Sequence, residues 1–273
     1  MVVLRIVYAL TSVAGLGILL GLGLAFASRL LAVRRDERVE AIEKALPGAN
    51  CGACGFAGCA AYAATIVSGE AALDLCTVGG AKVAARIAEI LGVEYEAGEV
   101  VRRVAQVLCR GGGDTCEYAF DYTGVQDCVA LYNLYGGNKV CKYGCLGLGT
   151  CLRVCPVEAI YYDADGLVWV NKELCIACGR CVEVCPTGVM QWVPYEADLV
   201  VACSSKDKGA RVRKYCKVGC IACKICEKKS PEGGYKVEEN LSRIDYEAEG
   251  DRRQAAEACP PKCIVANDVH PKR

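Results

Sequence analysis

Residues 175–186 read Cys-Ile-Ala-Cys-Gly-Arg-Cys-Val-Glu-Val-Cys-Pro. Cys175, Cys178 and Cys181 recur at every third position, and Cys185 stands directly before Pro186. A tight loop with this spacing turns three thiolates onto three corners of one iron–sulfur cube, while the next turn carries the fourth cysteine towards a different cluster. Zinc also uses Cys-x-x-Cys, but its sites take cysteines in pairs rather than as a triple closed by Cys-Pro. The pattern therefore favours a [4Fe–4S] cluster and one-electron chemistry.

Measured against that motif, the chain holds several variants. Cys141-Lys-Tyr-Gly-Cys145 leads into Leu148, Cys151 and Cys155-Pro156, with the same spacing but with leucine at the middle ligand position. Leucine cannot ligate iron, so Cys141 is the nearest replacement. Cys216-Lys-Val-Gly-Cys220 echoes that opening and continues through Cys223 and Cys226. Where its Cys-Pro should follow, the chain has Ser230-Pro231, and Cys259-Pro260 comes later. Counting back from Cys259 lands on Ala255, Arg252 and Glu249, so one cluster of this pair has lost all of its ligands together. The surviving one is expected on Cys220, Cys223, Cys226 and Cys259, with Cys263 as the alternative fourth ligand. Nearer the N-terminus, Cys51, Cys54 and Cys59 sit among glycines and are followed by Cys76. By spacing alone that set suits either zinc or iron–sulfur.

The elements that must position these thiols are mostly short. Residues 60–67 and 81–91 read as helices, 101–108 as a strand, and 159–162 with 167–170 as a hairpin around an Asp-Gly turn. A second hairpin is expected over 235–245. Residues 6–27 are apolar and long enough to cross a bilayer. Arg29, Arg34, Arg35 and Arg38 follow them, against a single Arg5 before. The positive-inside rule then puts the N-terminus outside and the remainder in the cytoplasm. A cleaved signal peptide is the competing reading of Ala25-Phe26-Ala27, opposed by the length of the apolar run and by the side on which the cations lie.

The totals agree with a metal-rich electron carrier. The 273 residues include 22 cysteines, about 8% of the chain, in metal-ligand runs rather than in a short secreted scaffold. Lys plus Arg and Asp plus Glu are balanced at 32 each, so no global basic field points to nucleic acid. One histidine and two methionines leave little room for haem or copper. No phosphate loop, dinucleotide fingerprint or nucleophile–base set is present, so no catalytic residues are expected on this chain. Lys206, Lys208, Arg211, Arg213 and Lys214 form a basic stretch that reads either as a solvated face or as a dock for an acidic ferredoxin.

The run from Leu46 to Gly80 resembles the Fe–S domain of the B subunit of the Rnf complex and of some corrinoid iron–sulfur proteins. The order of anchor, Fe–S domain and ferredoxin-like motifs is similar to that of the Rnf B subunit over nearly the full length. The resemblance implies one [4Fe–4S] on Cys51, Cys54, Cys59 and Cys76. The later block resembles a bacterial two-cluster ferredoxin, which implies one cluster on Cys155, Cys175, Cys178 and Cys181 and another on Cys145, Cys151, Cys185 and Cys141. The expectation is an α+β chain: residues 1–28 a transmembrane anchor, 29–46 a juxtamembrane linker, and 47–92 a small helical Fe–S domain. Residues 93–140 form a connecting segment with extra cysteines, 141–195 a two-cluster ferredoxin-like βαββαβ domain, and 196–273 a degenerate one-cluster copy. Four [4Fe–4S] clusters amount to on the order of 16 irons, and Cys109, Cys116 and Cys128, with Cys141, could hold one more. The resemblance further implies a single-pass component of the cytoplasmic membrane in an ion-translocating ferredoxin:NAD oxidoreductase. Its partners would be reduced ferredoxin and the other membrane and flavoprotein subunits. An anchored polyferredoxin of another hydrogenase or reductase, and a zinc-bearing interaction module, are the alternatives.

Overall fold

The computed structural model describes residues 2–30, 36–96, 101–163 and 166–267. Helix α1 (Val2–Leu30) opens the chain. Its stretch Leu4–Leu30 has a mean hydropathy of 2.0, and none of the other described residues buries it. At 1.5 Å per residue its 27 residues extend about 40 Å, more than the roughly 30 Å of a bilayer core. Arg34 and Arg35, part of the expected cationic cluster, lie outside the described residues, as does His270.

A small helical unit follows. Helix α2 (Glu37–Ala45) starts at Asp36, whose carboxylate accepts from the Arg38 amide at 2.9 Å. Helices α3 (Cys59–Val67) and α4 (Gly80–Leu91) pack on it around Ile42, Tyr62, Ile66 and Ile87. Gly92, left-handed at φ 69°, terminates α4 as its backbone N–H returns to Ala88 and Glu89.

The remaining chain repeats one plan. Strand β1 (Arg103–Val107) is followed by helices α5 (Cys128–Tyr132) and α6 (Thr150–Arg153). Then come strands β2 (Ile160–Tyr162) and β3 (Val168–Val170), helix α7 (Arg180–Glu183) and strand β4 (Met190–Pro194). The outer strands β1 and β4 pair antiparallel, and the inner strands β2 and β3 form a hairpin. The second copy runs β5 (Leu199–Val201), α8 (Gly209–Tyr215), α9 (Ile225–Lys229), β6 (Tyr235–Glu238), β7 (Leu241–Ile244), α10 (Arg253–Ala258) and β8 (Ile264–Ala266). Again the outer pair is β5 with β8 and the inner pair β6 with β7.

Short strands of this kind bury little on their own. Each copy closes instead on a core in which cysteines stand beside aliphatics: Val107, Ile160, Val168 and Met190 in the first, Leu199, Tyr235, Leu241 and Ile264 in the second. Val193, Ala197 and Val200 join the two copies. The strand expected at 101–108, within the segment read as a connector, is thus β1, the first strand of the first copy. Residues 108–149 intervene before the plan resumes at α6.

Candidate iron–sulfur sites

Backbone geometry shows that the cysteine motifs are variants of one loop. In Cys175-Ile-Ala-Cys-Gly the third and fifth residues, Ala177 and Gly179, are left-handed at φ 54° and 82°. Ala222 and Lys224 repeat this after Cys220 at 53° and 58°, and Gly147 and Gly149 after Cys145 at 76° and 66°. Left-handed Ala and Lys are costly conformations, held only where the surrounding fold demands them. A second signature marks the cysteines that precede proline. The residue three past Cys155, Cys185 and Cys259 is left-handed in each case: Glu158, Gly188 and Lys262. Gly233, three past Ser230, is not.

Among the described residues, these loops surround four cavities, each walled by cysteines and apolar groups. The first is lined by Cys51, Cys54, Cys59 and Cys76. Tyr62 positions its far edge: the hydroxyl donates to Ala72 O at 2.7 Å and accepts from the Leu75 amide at 3.1 Å, just before Cys76. The Asn50 side chain accepts from the Cys59 amide at 2.8 Å. The second cavity is lined by Cys155, Cys175, Cys178 and Cys181. Burial raises the Cys178 thiol above its usual range, the Arg180 amide opposes this, and the thiols of Cys51, Cys155 and Cys175 push it higher. Cys51 belongs to the first cavity, so the two are neighbours. Arg180 latches them together, its guanidinium donating to Cys51 O at 2.9 Å and to Asn50 O at 3.2 Å.

The third cavity departs from the sequence expectation. Cys145, Cys151 and Cys185 line it, but the fourth thiol is Cys128; Cys141 is elsewhere. A polar staple explains this. Asp127 caps α5 by accepting from the Val129 and Ala130 amides at 2.9 and 3.0 Å. Its other oxygen accepts from the Thr150 hydroxyl at 3.0 Å and from Arg153 at 3.0 Å, both on α6. Thr150 in turn accepts from the Cys128 amide at 2.7 Å. Helix α5 is thereby held against α6 with Cys128 at the cavity, where Leu148 supplies no thiol. The only sequence signal for it is Asp127, standing as a helix cap directly before Cys128.

The fourth cavity is lined by Cys220, Cys223, Cys226, Cys259 and Cys263. The Cys259 and Cys263 sulfurs are 3.5 Å apart. Hydrogen bonding from Cys263 lowers the Cys220 and Cys259 thiols to about 6, whereas Cys263 itself is raised. The lost cluster has no space left for it. Ser230 accepts from the Ala255 amide at 3.2 Å, and the Arg252 guanidinium donates to Gly233 O at 3.1 Å and lies 5.6 Å over the Tyr246 ring. Tyr235 and Ala255 are buried beside them.

The donor sets fit iron–sulfur clusters. Among the described residues, no group of His, Cys, Asp and Glu is placed to hold a single metal ion. Backbone amides also point at ligand sulfurs, Gly79 N to Cys76 Sγ at 3.4 Å and Ala159 N to Cys155 Sγ at 3.3 Å, contacts that tune cluster potentials.

Comparison with known proteins agrees with this reading. Residues 46–78 match a family described as a putative Fe-S cluster, and residues 138–192 match a 4Fe-4S dicluster domain. The chain is 45% identical to the B subunit of the Na(+)-translocating ferredoxin:NAD(+) oxidoreductase complex of Acetobacterium woodii, over 91% of this chain and 74% of that one. It is 40% identical to the B subunit of the ion-translocating oxidoreductase complex of Methanosarcina acetivorans, over 95% of this chain and 97% of that one. With the B subunit of the proton-translocating ferredoxin:NAD(+) oxidoreductase complex of Clostridium ljungdahlii it shares 42% identity, over 84% of this chain and 81% of the other.

Proposed function

Because the chain belongs to the B-subunit family of ion-translocating, Rnf-type oxidoreductase complexes, we propose that it is the membrane-anchored electron carrier of such a complex. It takes electrons from reduced ferredoxin and passes them to membrane partners, while the whole complex couples NAD reduction to Na+ or H+ translocation. The observation that carries this reading is the contact between two cysteine-walled cavities, one in each of two separate folding units, latched by Arg180.

The cavity linings support four ligand sets: Cys51/Cys54/Cys59/Cys76, Cys155/Cys175/Cys178/Cys181, Cys128/Cys145/Cys151/Cys185 and Cys220/Cys223/Cys226/Cys259. The left-handed turn at Lys262 supports Cys259 over Cys263, because it matches the turns that follow Cys155 and Cys185. When bound, each [4Fe–4S] cluster supplies a centre that gains or loses one electron with little rearrangement. The chain's own part is to fix the thiolates, exclude water with apolar walls and aim amides at the sulfurs. Both repeated copies are ferredoxin-like modules by strand order, the second having kept one cluster site. Helix α1 is the transmembrane span; Arg29 in its last turn and Arg38 beyond it, against Arg5 near its start, support a cytoplasmic side for the cluster-bearing units.

Ferredoxin docking uses the basic face of α8 and the loop before it. Lys206 already pairs with Glu239 at 2.7 Å and Arg211 approaches Asp207 at 3.6 Å, which leaves Lys208, Arg213 and Lys214 as the cations available to an acidic partner. Anaerobic stopped-flow mixing of the full chain with reduced ferredoxin tests the proposal. Bleaching of the iron–sulfur absorbance, slowed by salt, is the expected result. A protein that carries clusters yet stays oxidised in excess reduced ferredoxin would refute it.

A further inference from the structure

Six cysteines lie outside the four ligand sets just given once Cys128 is placed. Two of them, Cys203 and Cys263, are buried close to the Cys220 site. The other four, Cys109, Cys116, Cys141 and Cys216, come from distant parts of the chain and meet at the seam between the two copies.

The backbone brings them there. Residues around Cys116 form a ladder with both copies: Glu117 N donates to Tyr215 O at 2.8 Å and Lys217 N to Thr115 O at 2.9 Å, which pairs Cys116 with Cys216. On its other edge, Val140 N donates to Glu117 O at 3.1 Å and Ala119 N to Asn138 O at 2.7 Å, which delivers Cys141. Cys109 arrives from the end of β1, and Ser204 fixes that end by donating to Leu108 O at 3.0 Å.

Glycines line the space between the thiols. A Cβ on Gly111 would stand 3.4 Å from Cys216 Sγ and 3.8 Å from Cys116 Sγ, and one on Gly219 would stand 3.3 Å from Cys216 Sγ. A Cβ on Gly144 would lie 3.7 Å from Cys109 Sγ and 3.8 Å from Cys141 O. All four cysteines are free thiols. Cys109 Sγ lies 4.0 Å from Gly111 O, which brings it to the same glycine as Cys116 and Cys216.

A buried cation supplies the second observation. Lys139 is 2% exposed, donates to Gly111 O at 2.5 Å and, among the described residues, makes no ion pair with a carboxylate. Its stem lies beside Cys109, since a Cβ on Gly144 would stand 3.7 Å from both Lys139 Cδ and Cys109 Sγ, and its ammonium is 5.5 Å from the Tyr118 ring centre. An ammonium group is rarely so deep without a partner anion. Four thiolates around an iron–sulfur core form an anionic complex that would be that partner.

We infer that Cys109, Cys116, Cys141 and Cys216 hold a fifth [4Fe–4S] cluster at the seam, with Lys139 as its buried counter-charge. This goes beyond the four-cluster reading above and does not depend on which complex the chain serves. It also gives the repeated Cys-Lys-x-Gly-Cys segments a shared role. In each, the first cysteine (Cys141, Cys216) faces the seam and the second (Cys145, Cys220) faces the cluster of its own copy. Four residue steps span at most about 14 Å, so each segment is a short bridge from the seam to one module.

The test is iron and sulfide quantification with EPR on the full chain, reconstituted anaerobically, for the wild type, Cys116→Ala, Cys216→Ala and the buried control Cys203→Ala. The wild type should carry about 20 irons rather than about 16. Each of the two seam variants should lose about four irons and four sulfides with the other signals retained, and the control should lose none. Unchanged iron in the seam variants, zinc in place of the lost iron, a Cys116–Cys216 disulfide in the reconstituted wild type, or loss of all clusters in both seam variants would each overturn the assignment. Ferredoxin oxidation by the remaining clusters is a separate measurement, so failure here leaves the proposed function standing.

Discussion

The two ferredoxin-like copies share strand order and loop geometry, yet they treat a missing cysteine in opposite ways. In the first, the middle ligand of one motif is Leu148, and the fold fetches Cys128 from an inserted helix to line the cavity. In the second, a whole ligand set is gone and the space is filled by Tyr235, Ala255, Arg252 and the Ser230 hydrogen bond. One lost thiol leaves an open cavity that a neighbour can complete. Four lost thiols leave nothing to bind, and packing reclaims the volume, because an unfilled interior void forfeits contacts along its whole lining.

This contrast predicts the largest effect on iron removal. The first copy closes on two cluster cavities, whereas the second has a protein-packed half. Stripping iron should therefore abolish slow hydrogen exchange throughout the first copy, while β6, β7 and α10 keep part of their protection. Equal loss in both copies would show that the packed half has no independent stability.

At the level of single sites, Cys128→Ala should remove about four irons per chain and one EPR signal. Cys263→Ala in the other copy should remove none, as the proposed assignment of Cys259 as the fourth ligand requires. Retained iron in the first variant, or lost iron in the second, would reverse the comparison. A smaller effect is expected of Asp127→Ala, which removes a helix cap worth about 1 kcal/mol and frees α5. Thermal melting should shift down, and the iron of the Cys128 site should be released by chelators faster than that of Cys220. Smallest of all is Ser230→Cys. It restores the sequence pattern of Cys-Pro, but with Ala255 and Arg252 in place iron content should stay the same. The weakened bond to the Ala255 amide should cost no more than about 1 kcal/mol.

What can be seen in the sequence follows from distance along the chain. Cys175, Cys178 and Cys181 lie on one loop, so spacing alone brings them to one cavity, and the hairpins at 160–170 and 235–244 are marked by their turns. The reduction of the second copy is also legible, because four coordinated losses can be counted. Cys128 is not, since it joins Cys145 through a side-chain staple among Asp127, Thr150 and Arg153 that no periodicity records. The seam is hidden for the same reason: Cys216 meets Cys116 through cross-chain backbone pairing, and spacing assigns Cys141 to the nearer motif. Strand β1 is legible as a Val-rich run at 101–108, but its place beside β4 is not, because that partner comes more than eighty residues later.

Arg180 sits between Cys178 and Cys181, inside the loop that must wrap one cluster, and its guanidinium grips the carbonyls of Asn50 and Cys51. Its reach to those carbonyls depends on the loop already being wound. One side chain therefore ties the winding of that loop to the seating of the first helical unit: whatever unwinds residues 175–181 also releases Asn50 and Cys51.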